Sequence, residues 1–200
     1  MSKSAAHLRL VASNEDKASR EELARRFRET MTEHIRAHTE GTNVNSKTLL
    51  ATDYLNHFNE AIMLLQMLPS APAEMAADLA KWRHESYEEH FTRTGFRDKG
   101  LAIAGYRHAP AEIRAAFDSV TGEISTHLST LLGQVREAVE TGATEAIAAL
   151  CDEHVPVLQA KIEEASAIVN GEADPCAGAS GEAEMANAGA HQAAVDALFD

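Results

Sequence analysis

A chain of 200 residues with a formal net charge of −13 is repelled by phosphate backbones and anionic lipid, which excludes nucleic acid and membrane surfaces as partners. Apolar residues make up 44% of it but aromatics only 5%, and its many Ala, Leu, Glu and Arg residues favour helix over strand. Two cysteines without a CxxC pair exclude a disulfide scaffold and predict a cytoplasmic protein, and no apolar run reaches the ~18 residues of a membrane span.

Residues 1–14 read as a flexible start, with an apolar patch (Leu8, Leu10, Val11) too short for a secretory core. A first helix is predicted from Asn14 or Ser19, where Ser19 and Glu22 fit a capping box. Its stripe is Leu23, Phe27, Met31, Ile35 and His38, and Gly41 ends it. A second runs from Ser46 to Leu68 and stops at Pro69, with Leu50, Tyr54, His57, Phe58, Ala61, Leu65 and Leu68 on one side. A third runs from Pro72 to Phe91, with Met75, Leu79, Trp82 and Ser86 inward. Residues 93–100 read as a loop and 101–108 as a short helix stopped before Pro110.

Two long helices follow. The first, Pro110 to Thr141, aligns Ile113, Phe117, Val120, Ile124, Leu128, Leu131, Val135 and Val139. Gly142 breaks it, and the next aligns Ile147, Cys151, Val155, Leu158, Ile162 and Val169, with a kink expected at Pro156. Two such helices joined at one glycine form a hairpin, so the fold expected is an all-α antiparallel bundle over residues 15–169.

Composition changes at residue 170. Of residues 170–190, 14 of 21 are Ala, Gly or Glu, the chemistry of a disordered linker. Apolar character returns at 191–200, where Val195, Leu198 and Phe199 fall at i, i+3, i+4 and form one turn of apolar face. Such a segment suits a recognition peptide that folds in a partner's groove.

The stretch Gln192-Ala-Ala-Val195-Asp196-Ala-Leu198-Phe199 resembles the terminal peptides of the chemotaxis phosphatase CheZ and the flagellar switch protein FliM. In those families the peptide binds the receiver domain of the response regulator CheY. The resemblance implies a regulator of two-component or chemotaxis signalling that recruits a CheY-like receiver through Gln192, Val195, Asp196, Leu198 and Phe199. It also raises aspartyl-phosphate phosphatase activity. The receiver would supply the Mg²⁺, so no cofactor bound by this chain is expected.

Helping to hydrolyse an aspartyl phosphate takes an acid and an amide one turn apart on a helix, the amide positioning water in line with phosphorus. Asp53, Asn56 and Glu60 stand at i, i+3, i+7, and Asp53-x-x-Asn56 resembles the acid-x-x-Asn spacing of the CheC and CheX phosphatases. Laid over the CheZ site, Asn56 and Glu60 fall on its Asp and Gln with acid and amide exchanged. Gly133-Gln134-Val135 resembles the CheZ sequence around its catalytic Gln, with Thr130 where that family has Asp.

Ten histidines open a second class, a ferritin-like or hemerythrin-like metal-binding bundle. Ligand candidates are His57 with Glu60, then Glu85, Glu88, Glu89 and His90, then His127, and Glu153 with His154. The set expected to converge is His57, Glu60, Glu89 and His127. A purely structural bundle would instead find its partner in a second copy, as a homodimer.

Overall fold

The computed structural model describes residues 3–172, and all regular structure among them is helical. The helices are α1 (Lys3–Ala37), α2 (Asn56–Met67), α3 (Pro72–Leu79), α4 (Tyr87–Arg93), α5 (Lys99–His108), α6 (Ala111–Glu140) and α7 (Thr144–Asn170), with a 3-10 turn at Thr52–Leu55 ahead of α2. The all-α bundle expected from composition and periodicity is the fold observed. No helix among the described residues is long and apolar enough to cross a membrane.

The hairpin of α6 and α7 is the scaffold. Phe117, Ile124, Leu128 and Leu131 on α6 and Ile147, Leu158 and Ala165 on α7 are all at most 1% exposed. Burying side chains of this size contributes about 1.5–3 kcal/mol each. The turn between the helices is a Schellman motif: Ala143 N donates to Ala138 O at 2.9 Å and Gly142 N to Val139 O at 3.1 Å. Gly142 takes φ 69°, which only glycine adopts without strain. Pro156 lies inside α7 without ending it. Its missing N–H frees the carbonyl of Asp152, which sits on the exposed face and can reach water.

Helix α2 packs on α7 and α3 on α6, so the pair α2–α3 closes the core against the hairpin. Helices α4 and α5 cover the end where the 3-10 turn meets α7. Helix α1 leans chiefly on α5 and buries Ile35, while Leu23 and Phe27 stay 70% and 65% exposed. The stripe expected along α1 therefore packs only at its downstream end. Ser19 and Glu22 do not cap α1, which starts upstream at Lys3; Glu22 instead accepts from Arg25 and Arg26.

The expected third helix is two helices. Apolar spacing persists through Trp82 and Ser86, but α3 ends at Leu79, a turn follows at residues 80–81, and residues 82–86 form an irregular segment. There a capping box starts α4: Ser86 Oγ accepts from Glu89 N, and the Glu89 carboxylate accepts from Ser86 N at 2.9 Å. The expected second helix also starts late. Residues 45–51 form a tight turn in which Asn45 Oδ1 accepts from Lys47 N at 2.8 Å and Thr48 N at 3.1 Å. Leu49 follows with φ 61° while fully buried, and Val44 and Ala51 pair across the turn as an antiparallel bridge.

Gly105 on α5 lets that turn approach, since a Cβ there would stand 2.4 Å from the Leu49 carbonyl oxygen. Gly105→Ala is therefore expected to destabilise the protein by about 1–3 kcal/mol. Gly122→Ala, in open space inside α6, should stabilise it by about 0.5–1 kcal/mol. Urea denaturation of both variants checks this, and a Gly105→Ala protein as stable as the wild type contradicts the packing.

Candidate functional site

A buried polar cluster is built from α2, the irregular segment 82–86 and α4. His57, Glu85 and His90 are 7%, 5% and 8% exposed, and each offers one potential metal-ligand atom within 4.8 Å of the other two. His57 Nε2 lies 2.9 Å from the Arg83 carbonyl, which only accepts, so Nε2 carries the proton and Nδ1 the lone pair. Trp82 stacks on the His57 ring at 5.1 Å and donates its Nε1–H to the His57 carbonyl at 3.1 Å. The bond to Arg83 and the stacked indole together orient the imidazole.

Glu85 is held by its neighbours. Arg93 Nη2 donates to it at 2.7 Å, and the Tyr54 hydroxyl donates to its backbone carbonyl at 2.7 Å. Burial raises the Tyr54 phenol far above its ordinary pKa, so it remains a neutral donor. His90 packs edge-on against Tyr54 at 5.5 Å and Phe91 at 5.2 Å, and its buried Nδ1 has no hydrogen-bond partner. Asp53 Oδ2, on the 3-10 turn, is the other buried side-chain atom without a partner among the described residues. A cleft of about 410 Å³, lined by His57, Glu60, Leu64, Asp78, Lys81, Trp82, Arg83 and Arg93, leads to the cluster.

The four residues expected to converge do not. Glu60 is exposed on the cleft wall, and Glu89 is exposed and engaged as the α4 cap. His127 lies across the hairpin, its Nε2 3.0 Å from His154 Nδ1. Only His57 belongs to the central cluster; its partners are Glu85 and His90. Helical spacing hides this grouping because Glu85 lies in the irregular segment, off the periodicity of both adjoining helices.

The amide and acid candidates are dispersed too. Asp53 is half-buried, and its Oδ1 accepts from Asn43 Nδ2 at 3.4 Å. Asn56 is exposed at the first position of α2, and Gln134 is exposed on α6 beside a cleft of about 310 Å³ lined in part by Ala76, Leu79, Gly133 and Arg136. Asp53, on the 3-10 turn, is half-buried, while Asn56 and Glu60 on α2 are exposed. Gln192, Val195, Asp196, Leu198 and Phe199 lie outside the described residues.

No protein-family model, curated protein or solved structure matches the chain. Its chemistry rests on its own residues.

Burial lowers the pKa of His57 and His90 below the ordinary 6.5, and likewise that of His127, beside His154. The unfolded chain then binds protons that the folded one refuses. Stability is complete above the ordinary imidazole pKa and is lost as pH falls below it. In EDTA-containing buffer, the urea midpoint should drop between about pH 7.5 and about pH 5.5, above the range where carboxylates titrate. Equal midpoints would contradict the burial of neutral imidazoles.

Proposed function

We propose that this chain is a regulator of two-component or chemotaxis signalling that recruits a CheY-like receiver through residues 191–200 and promotes its dephosphorylation through Asp53 and Asn56. The reading rests first on the peptide Gln192-x-x-Val195-Asp196-x-Leu198-Phe199, preceded by 21 residues of mostly Ala, Gly and Glu. The acidic chain also suits a partner with a basic surface.

One structural observation favours Asp53 and Asn56 over Gln134. The segment leading to the peptide departs from the end of α7, where Thr48 Oγ1 donates to Val169 O at 2.5 Å and Asn45 Nδ2 to Asn170 O at 3.3 Å. Those two residues sit just upstream of Asp53. Gln134 lies on the other side of the hairpin turn, which pairs Asn170 with the start of α6. At 1.5 Å per residue, Gln134 is roughly 30 Å away along α6. A receiver captured by the peptide has Asp53 and Asn56 at the root of its tether, where effective concentration is highest.

In this reading the exposed Asn56 amide orients the attacking water. Asp53, its Oδ1 engaged by Asn43, offers a carboxylate to the receiver's basic residue. The chemistry is positioning, since the receiver brings the Mg²⁺. The reading implies a cytoplasmic protein, and the buried, unpaired Cys151 accords with that setting.

Titrating the 191–200 peptide against activated receivers from the same organism tests the recruitment step. Phe199→Ala should weaken binding by about tenfold or more, the loss of one buried aromatic side chain. Absence of binding to every receiver ends the proposal. For the catalytic step, phosphate release from a phosphorylated receiver should fall roughly tenfold or more in full-length Asn56→Ala. An unchanged rate removes Asn56 while leaving recruitment standing.

A further inference from the structure

We infer that His57, Glu85 and His90 form a binding site for one first-row divalent transition ion, of the Zn²⁺ or Fe²⁺ type. The inference is independent of receiver binding, for it uses none of the residues assigned to that role.

Three observations carry it. The donor set is two imidazoles and one carboxylate, each more than nine-tenths buried, with their ligand atoms mutually within 4.8 Å. A tetrahedral ion with metal–nitrogen bonds of about 2.0–2.1 Å holds its ligands roughly 3.3 Å apart, within reach of small side-chain rotations. The second observation is the outer shell. His57 donates Nε2–H to the Arg83 carbonyl, the arrangement that leaves the other nitrogen to ligate, and Arg93 hydrogen-bonds the Glu85 carboxylate. The third is His90 Nδ1, a buried ring nitrogen with no hydrogen-bond partner. Native cores rarely leave such an atom without a partner, and a metal would supply one.

The surroundings suit a cation that is reached from outside. The cleft lined by Glu60, Lys81 and Arg93 also has His57 in its wall, so one member of the cluster borders the outside. Asp53 and Glu85 both act electrostatically on His90, and Glu60 and Glu85 on His57, which offsets the positive charge of Arg93. Two imidazoles with one carboxylate are the donors of catalytic zinc and non-haem iron centres, whereas Mg²⁺ and Ca²⁺ seek oxygen. In a second histidine pair, His127 and His154 hydrogen-bond each other and have no third ligand among the described residues.

The test uses untagged full-length protein stripped with chelator and titrated with Zn²⁺ and, for its visible absorption, Co²⁺. One equivalent should bind, and its Co²⁺ spectrum should carry the intensity of four- or five-coordination. His57→Gln and His90→Gln should each lower affinity by more than the roughly 10–100-fold that loss of an outer-shell partner costs. The double variant His127→Gln/His154→Gln should bind as the wild type does. Binding that is absent from the wild type, that survives in His57→Gln and His90→Gln, or that is lost with His127 and His154 overturns the site. Should the single variants not fold, imidazole ¹⁵N spectra of the wild type decide. Zn²⁺ should then shift the ring nitrogens of His57 and His90 out of the ten histidines, and a shift confined to others refutes the inference.

Discussion

The architecture depends on one knot of backbone and side-chain bonds, the turn at residues 45–51. Its Thr48 hydroxyl takes up the Val169 carbonyl at the end of α7, its Leu49 carbonyl lies where only a glycine on α5 lets it lie, and its Ala51 N–H is accepted by the Tyr87 hydroxyl of α4 at 2.9 Å. A single seven-residue segment thus ties three helices that are distant in sequence. Leu49 is held in a left-handed conformation, a cost of about 1–2 kcal/mol that the surrounding contacts must offset. It stays there because its side chain is fully buried and its N–H is bonded to Asn45 O at 2.8 Å.

The second dependence runs through the irregular segment 82–86, which lies in neither helix. Three of its backbone polar groups are met by side chains: Arg83 O by His57, Glu85 O by Tyr54, and Ser86 N by Glu89. His84 Nδ1 reaches Ser125 Oγ on α6 at 2.8 Å and pins the segment to the hairpin. Buried backbone groups must find partners somewhere, and here the partners are polar side chains of α2, the 3-10 turn and α4. This explains why His57, Tyr54 and Glu85 are inside the molecule at all. The same requirement that orders the segment gathers its ionisable groups into one pocket.

Much of the fold was legible in the sequence because it depends on period alone. The long hairpin, its glycine turn and the helix before Pro110 each follow from apolar spacing and one punctuating residue. Other features were not legible. The helix expected from Ser46 gives way to the turn at 45–51, whose place is set by tertiary bonds. The helix expected over 72–91 divides because a local capping box at Ser86 and Glu89 outweighs an apolar period that continues through it. Leu23 and Phe27 satisfy the period of α1 yet remain exposed, since periodicity names a face but not a partner. The central cluster was missed because Glu85 belongs to an irregular segment whose place is set by tertiary hydrogen bonds, so its distance from His57 has no counterpart in residue spacing.

The 3-10 turn at residues 52–55 links the two chemical sites. Residues three apart nearly eclipse in such a turn, so Asp53 stands close to the line of Asn56, the acid half-buried and the amide in solvent. The same turn carries Tyr54 inward onto Glu85 and His90. One short element therefore borders both the exposed Asn56 amide and the buried cluster of His57, Glu85 and His90.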